Sequence, residues 1–208
     1  MKQAKILTKA EYMRVMAVLD SNRHAIRNRT MFALSFFAGL RACEIAGLKV
    51  GDVYDVDGNV RNTFYLDSEQ TKGHDKQQVI VSKQVQKQLY VYAKEYNIPT
   101  KQFTAPLLFS GKGGGFSAQT VVNLFSRFYC KAGLKGASSH SGRRQFLTEL
   151  GDKGVNARVI QVLARHKHLS TTQRYIDYNE SKLRRAVELM EISCPGFLSR
   201  LLFPKFNK

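Results

Sequence analysis

The chain is short of acidic residues, of cysteine and of long apolar runs. Against 33 Lys and Arg it sets only 16 Asp and Glu, a formal charge of +17 over 208 residues. Such an excess favours polyanionic partners through phosphate contacts and counterion release. Nucleic acid is the first candidate and an anionic membrane the second. The scarce carboxylates form no cluster suited to two metal ions, which argues against metal-dependent nuclease chemistry. Cys43, Cys130 and Cys194 are odd in number and widely spaced. They make neither a zinc pattern nor a disulfide framework, and a reducing cytoplasm fits them. The opening "MKQAKILTKAEY" has no apolar signal core, and no segment approaches a membrane span. Internal repeats and low-complexity linkers are missing too. The loop "FSGKGGGFS" lacks the Gly-Lys-Ser/Thr ending of a phosphate loop, so it predicts a turn rather than a nucleotide site.

What is present is mainly helical patterning. Thr8 and Glu11 form a capping box that starts a helix near Lys9 and carries it to about Asp20. From Met31 to Ala38 the chain is apolar almost all round, which predicts a buried helix ended by Gly39, then a short helix over "RACEIAG". Between Asp52 and Ser82 the composition shifts to β-branched and aromatic residues. Asp57-Gly58 and "KGHD" supply turns, and the stretch predicts an antiparallel sheet of about three strands. Ser82, Ser117 and Asn156 read as starts of further helices, the last with Val159, Val162 and Leu163 inward. Pro195-Gly196 sets off a tail, "FLSRLLFPKFNK". The fold class expected is α+β, mainly α, with a small antiparallel sheet.

Within "HKHLSTTQRY", His166 and Tyr175 are nine residues apart. At roughly 100° per residue an unbroken helix would place them on opposite faces. Ser170 and Gln173 read as a capping box that opens a new helix. On this reading one helix ends near Arg165, His166 lies in a bend, and Tyr175 occupies the second turn of the next helix. Both side chains then face one place.

Other polar residues stand where plain ones would suffice. Arg41 and Glu44 are three apart and can pair along one face, or Arg41 can simply cap the preceding helix. His140 and Arg143 share a face at a helix N-terminus, a place that suits a phosphate or is merely a surface patch. Lys72 lies on a hairpin tip, solvated or reaching into a groove, with His74 and Lys76 nearby. Two guanidiniums can clamp a phosphodiester. Histidines and a lysine can move protons. A tyrosine can act as a nucleophile where the developing charge is stabilised. A zinc protein using His140, His166 and His168 is a competing reading that no cysteine pattern supports.

Four stretches, "GLRACEIAGL", "TKGHDKQQVIV", "HSGRR" and "LARHKHLSTTQRY", are together similar to the boxes of the tyrosine recombinases, the phage-integrase family, in order and approximate spacing from about residue 5 to 190. The resemblance implies the family's catalytic-domain fold over 1–190, with a tail, 191–208, exchanged between protomers. It implies a site-specific DNA recombinase of integrase or invertase type, working through a 3′-phosphotyrosyl bond, with a non-catalytic DNA-binding regulator as the alternative. Tyr175 would be the nucleophile. Arg41 and Arg143 would hold the non-bridging oxygens, and Lys72 would protonate the leaving 5′-oxygen. His140 and His166 would assist, and Glu44 would orient the arginine and histidine groups. No cofactor and no metal are implied. The implied partners are double-stranded DNA, other copies of the chain in a tetrameric synapse and an accessory DNA-bending protein. No membrane is involved, and the location would be the cytoplasm, at the nucleoid. The chain also departs from the family. Arg165 stands where glycine is usual, which implies either a further phosphate contact or strain in the bend. "Ser-Gly" precedes Arg143 where leucine is common. The chain starts almost directly at the catalytic domain, as in short-form members without the N-terminal core-binding domain.

Overall fold

Thr8 caps the first helix as its chemistry dictates. Its Oγ1 accepts from the Glu11 N–H at 3.2 Å, and the Glu11 carboxylate accepts from the Thr8 N–H at 3.0 Å. Helix α1 then runs Lys9–Asp20, with Val15 and Leu19 buried. A computed structural model of the chain describes residues 3–67, 76–98, 102–110, 113–176 and 180–188. By its internal contacts the chain divides into Met1–Ile176 and Asp177–Lys208.

In the first unit, α2 (Ala25–Phe37) is the central element. Every residue from Thr30 to Phe36 is buried, as expected of a helix apolar nearly all round. Phe32 lies in a nest of rings, 4.6 Å from Phe125 and 5.6 Å from Tyr129 between centroids. Gly39 follows at φ +62°, a conformation glycine adopts without cost. A Cβ there would also strike the Phe146 ring at 2.6 Å. Helix α3 (Ala42–Gly47) and the single turn α4 (Val50–Val53) come next.

Strands β1 (Thr63–Leu66) and β2 (Gln77–Ile80) pair antiparallel, Thr63 opposite Ile80 and Leu66 opposite Gln77. Among the described residues the sheet has two strands, not the three expected. The third is reduced to one bridge between Tyr54 and Val60. Val50–Val53 has wound into helix α4, and the Asp55 carboxylate accepts from the N–H groups of Asp57 and Asn59, curling the chain instead of extending it. Lys72 and its hairpin tip lie outside the described residues.

Ser82 and Ser117 cap α5 (Lys83–Tyr96) and α6 (Ala118–Lys131). Val85, Leu89 and Tyr92 of α5, and Val121, Phe125 and Phe128 of α6, enter the main core. Tyr54 and Tyr92 are buried with their hydroxyls donating at 2.8 Å to the carbonyls of Leu89 and Leu107, so both serve packing.

Helix α7 (Ser141–Asp152) packs on α2 so closely that a Cβ on Gly142 would collide with the Phe36 ring at 2.6 Å. That approach explains why a small residue precedes Arg143. Helix α8 (Ala157–Ala164), capped by Asn156, follows. Its inward residues are Ile160, Gln161 and Ala164, whereas Val159 and Val162 are exposed, contrary to expectation. The Gln161 amide decides the face. It donates to the carbonyls of His166 and Lys167 at 3.0 and 3.3 Å and so turns that side of the helix inward. Leu147, Ile160 and Ala164 form a small second core, onto which Phe146, Leu150, Val155, Tyr175 and Ile176 pack.

The second unit is described over one helix, α10 (Glu180–Glu188), with an exposed Glu180–Arg184 pair at 2.8 Å. The tail 191–208 lies outside the described residues. No described helix is long and apolar enough to cross a membrane.

Candidate functional site

The bend that carries His166 begins at Arg165. Arg165 ends α8 in the left-handed region, φ +56° and ψ +44°, and redirects the chain. The next helix, α9 (Leu169–Gln173), differs from the one expected. Its N-cap is His168, not Ser170, and no side chain caps it. It ends before Tyr175, which follows as a turn residue. The Tyr175 and Ile176 N–H groups bond the carbonyls of Thr172 and Gln173 at 2.9 and 3.1 Å, three residues back, so the last turn is tightened and the helix stops. Ser170 is exposed and Thr172 wholly buried. Thr172 Oγ1 lies 2.9 Å from His166 Nδ1, so the threonine fixes the imidazole rather than serving the helix end. The sequence signalled Thr172 and Gln161 only as helix residues. Their side-chain roles depend on the bend.

The two rings meet as anticipated, stacked with centroids 5.8 Å apart and planes at 23°. Beside them lies Arg143, 4% exposed. Its Nη1 donates to the Gly39 carbonyl at 2.6 Å and its Nη2 to the Ala164 carbonyl. One guanidinium thus ties the turn after α2 to the end of α8. Burial, together with Arg41 and Arg165, pushes Arg143 down to about 9, against the pull of Glu44 and of the nearby Tyr175 phenol. It remains a cation at neutral pH.

Arg41 precedes α3. Its N–H donates to Glu44 Oε2 at 2.9 Å, and its Nη1 pairs with Glu44 Oε1. The Arg41 side chain keeps 27% exposure while Glu44 keeps 1%, so the arginine faces solvent over a buried carboxylate. Glu44 also pairs with Arg165 Nη2 at 2.9 Å. Burial alone would raise the Glu44 carboxyl, but Arg165, Arg41 and Arg143 outweigh it and hold it below the ordinary range. His140 is the exposed N-cap of α7, one turn before Arg143.

The structure therefore brings Arg41, Glu44, Arg143, Arg165, His166 and Tyr175 together, and sets His140 on the same first turn as Arg143. Three guanidiniums and one carboxylate leave a net excess of positive charge around a phenol. Such a site suits an anion that gains charge during reaction. Among the described residues no group of three or more His, Cys, Asp or Glu side chains is placed to share a metal ion.

His166 carries the cluster's pH signature. Burial and then Arg143, Arg41 and Arg165 lower it to about 4, opposed by Glu44. The unfolded imidazole titrates near 6.5, so between these values the unfolded chain binds more protons than the folded one. The stability contributed by neutral His166 is complete above pH 6.5 and lost as pH falls toward 4. A loss of about 1–2 kcal/mol, discounted for solvent screening, is expected over that interval. His166→Gln should flatten this part of a urea-denaturation profile taken against pH.

Comparison with known proteins gives the family. Residues 5–182 match the Phage integrase family model. The tyrosine recombinase XerA of Pyrococcus horikoshii is 31% identical over 188 residues, covering 88% of this chain and 60% of that protein. The chain thus spans about 60% of the length of this curated relative. Among solved structures, the XerA recombinase crystal structure superposes with a TM-score of 0.70 at 23% identity, over 93% of this chain and 68% of that one. A Tn1549 transposon integrase in complex with transposon right end DNA gives 0.75 at 16% identity, over 92% and 68%. Both structures share the mainly helical fold with its small antiparallel sheet. With residues 5–182 of its 208 matched by the family model, the chain belongs to the phage integrase family, the tyrosine recombinases.

Proposed function

We propose that the chain is a site-specific DNA recombinase, cleaving and rejoining duplex DNA through a 3′-phosphotyrosyl intermediate. The observation that carries the proposal is the meeting of the Tyr175 and His166 rings beside Arg143, at the rim of the Arg41–Glu44 pair.

In this reaction the Tyr175 oxygen attacks the scissile phosphorus. The new tyrosyl P–O bond forms as the bond to the 5′-oxygen breaks, and the phenol proton passes to a neutral imidazole, His166 or His140. Arg41, partly open to solvent, and Arg143, with two of its five donors taken by carbonyls, hold the non-bridging oxygens of the phosphorane. His166 is neutral at physiological pH, with Nδ1 held by Thr172, so its other ring nitrogen serves phosphate or phenol. Lys72 protonates the leaving 5′-oxygen and His140 assists proton transfer. Glu44 orients Arg41. The covalent bond conserves the phosphodiester energy, so neither ATP nor metal enters. The resealing step reverses the cleavage.

The charge of +17 supports duplex DNA as the partner. Relatives whose structures hold DNA support it as well, the Tn1549 integrase with transposon right end DNA among them. On this reading the chain works as a tetramer in the synapse at the nucleoid, aided by a DNA-bending protein. Its tail, 191–208, docks on the neighbouring protomer.

The test is a duplex carrying a nick beside the cleavage position, so that the short 5′-hydroxyl product diffuses away and the covalent complex accumulates. A panel drawn from DNA flanking the gene supplies the sequence. The expected result is a denaturation-resistant adduct whose peptide maps to Tyr175. Specific DNA binding with no adduct on any substrate would instead identify a DNA-binding regulator.

A further inference from the structure

Arg165 occupies a place that costs it twice. Its φ of +56° is a conformation that a residue with a Cβ avoids and glycine takes freely. Its Nε is buried with no hydrogen-bond partner among the described residues. A residue that served only to end α8 would carry neither cost. The guanidinium does not turn outward as a further phosphate contact would. It is 3% exposed, and Nη2 reaches Glu44 Oε2 at 2.9 Å and the Gly39 carbonyl at 3.0 Å. Glu44 presents its other oxygen, Oε1, to Arg41. The carboxylate is thus divided between two arginines, one sealed inside and one facing the site.

We propose that Arg165 is a positioning residue that shares Glu44 with Arg41, so that the carboxylate orients Arg41 without cancelling its charge. The proposal rests on the recombinase reading, because it concerns the potential felt by a phosphate at Arg41 and Arg143. With Arg165 present, three guanidiniums and one carboxylate leave two positive charges beside the phenol. Without it, one remains. Arg165 also supplies the second anchor of the Gly39 carbonyl, which Arg143 Nη1 engages at 2.6 Å. The arginine is therefore coupled to both phosphate-facing guanidiniums while touching no substrate itself.

Three variants of the full chain separate charge from shape: Arg165→Lys, Arg165→Gln and the double variant Glu44→Gln/Arg165→Gln. All keep a Cβ at the left-handed position, so backbone strain is held constant. Single-turnover adduct formation on the nicked duplex is the first measurement. The second is NMR titration of the His166 ring, which faces Arg41, Arg143, Arg165, Glu44, Thr172 and Tyr175 and needs no DNA. Arg165→Gln should slow adduct formation by about tenfold or more at saturating DNA, and raise the His166 titration by about half a unit to one unit. Arg165→Lys should stay near wild type in both. The double variant again carries two net positive charges, so it should be faster than Arg165→Gln alone. It also removes the unpaired carboxylate, so it serves if the single variant fails to fold.

Equal behaviour of Arg165→Lys and Arg165→Gln in both measurements would overturn the proposal. So would a double variant no faster than Arg165→Gln. Adducts from wild type with no difference between Lys and Gln would sink charge sharing and leave the recombinase intact. A clear difference in the His166 titration with no adduct from wild type on any DNA would do the reverse.

Discussion

Tyr175→Phe is expected to bind DNA as wild type does and to lose covalent linkage by at least about 10⁴-fold, the scale seen when a covalent enzyme loses its nucleophile. The substitution removes one oxygen and little else. Tyr175 contributes its ring to the small second core with Phe146, Leu150, Val155 and Ile176, and stacks on His166 at 5.8 Å. Phenylalanine keeps both contacts. The positive groups that would attract the backbone phosphate, Arg41 and Arg143, are untouched. Unfolding free energy should therefore move by less than about 0.5–1 kcal/mol. Gel-shift affinity, adduct yield on the nicked duplex and a denaturation curve measured on one preparation give the three readings. Persistence of the adduct would mean that another nucleophile carries the reaction. Tyr54 and Tyr92 are poor candidates, since both are fully buried with their hydroxyls engaged by carbonyls, and burial pushes both phenols well above the ordinary range.

Glu44→Ala is expected to give the largest stability loss of any single change in the cluster, about 3–5 kcal/mol. Glu44 is 1% exposed and Arg165 3%, so removing the carboxylate strands a cation where water cannot reach it. The Arg41 N–H also loses its acceptor at the start of α3. The exposed pair Glu180–Arg184 is the contrast, with side chains 79% and 73% exposed. Glu180→Ala should cost no more than about 0.5 kcal/mol, because water replaces the lost partner. The two variants compared by urea denaturation test whether burial sets the value of these ion pairs. A Glu44→Ala loss as small as that of Glu180→Ala would show that solvent reaches Arg165. Adduct formation in Glu44→Ala should fall as well, since Arg41 loses its orienting partner along with the fold's margin.

Much of this was legible beforehand because it is local. Thr8, Ser82, Ser117 and Asn156 each accept a hydrogen bond from an N–H two or three residues ahead, so a short window of sequence suffices to place α1, α5, α6 and α8. The buried α2 announced itself by an apolar surface on every side. The pairing of Arg41 with Glu44 follows from helical spacing. Where the structure differs from these expectations, side-chain hydrogen bonds that apolar spacing does not encode decided the outcome. Periodicity alone faces Val159 and Val162 inward, yet the Gln161 amide bonds to the His166 and Lys167 carbonyls and turns a different face to the second core. Ser170 has the chemistry of a cap, but Thr172 bonds the buried side of His166 and the helix begins two residues earlier, after His168. The expected third strand yielded to the turn of α4 and to the Asp55 carboxylate.

The sequence by itself determined the reactive inventory: a strongly basic chain, a tyrosine and a histidine nine residues apart, and arginines in an order that belongs to one family. These are matters of composition and spacing, which need no coordinates. Only the tertiary structure decided how the charges share their partners. Arg165 reaches Glu44, 121 residues away in the chain, and Arg143 bonds a carbonyl 104 residues away. Those contacts exist because α7 packs against both α2 and α8, and no periodicity encodes the direction in which a buried guanidinium turns.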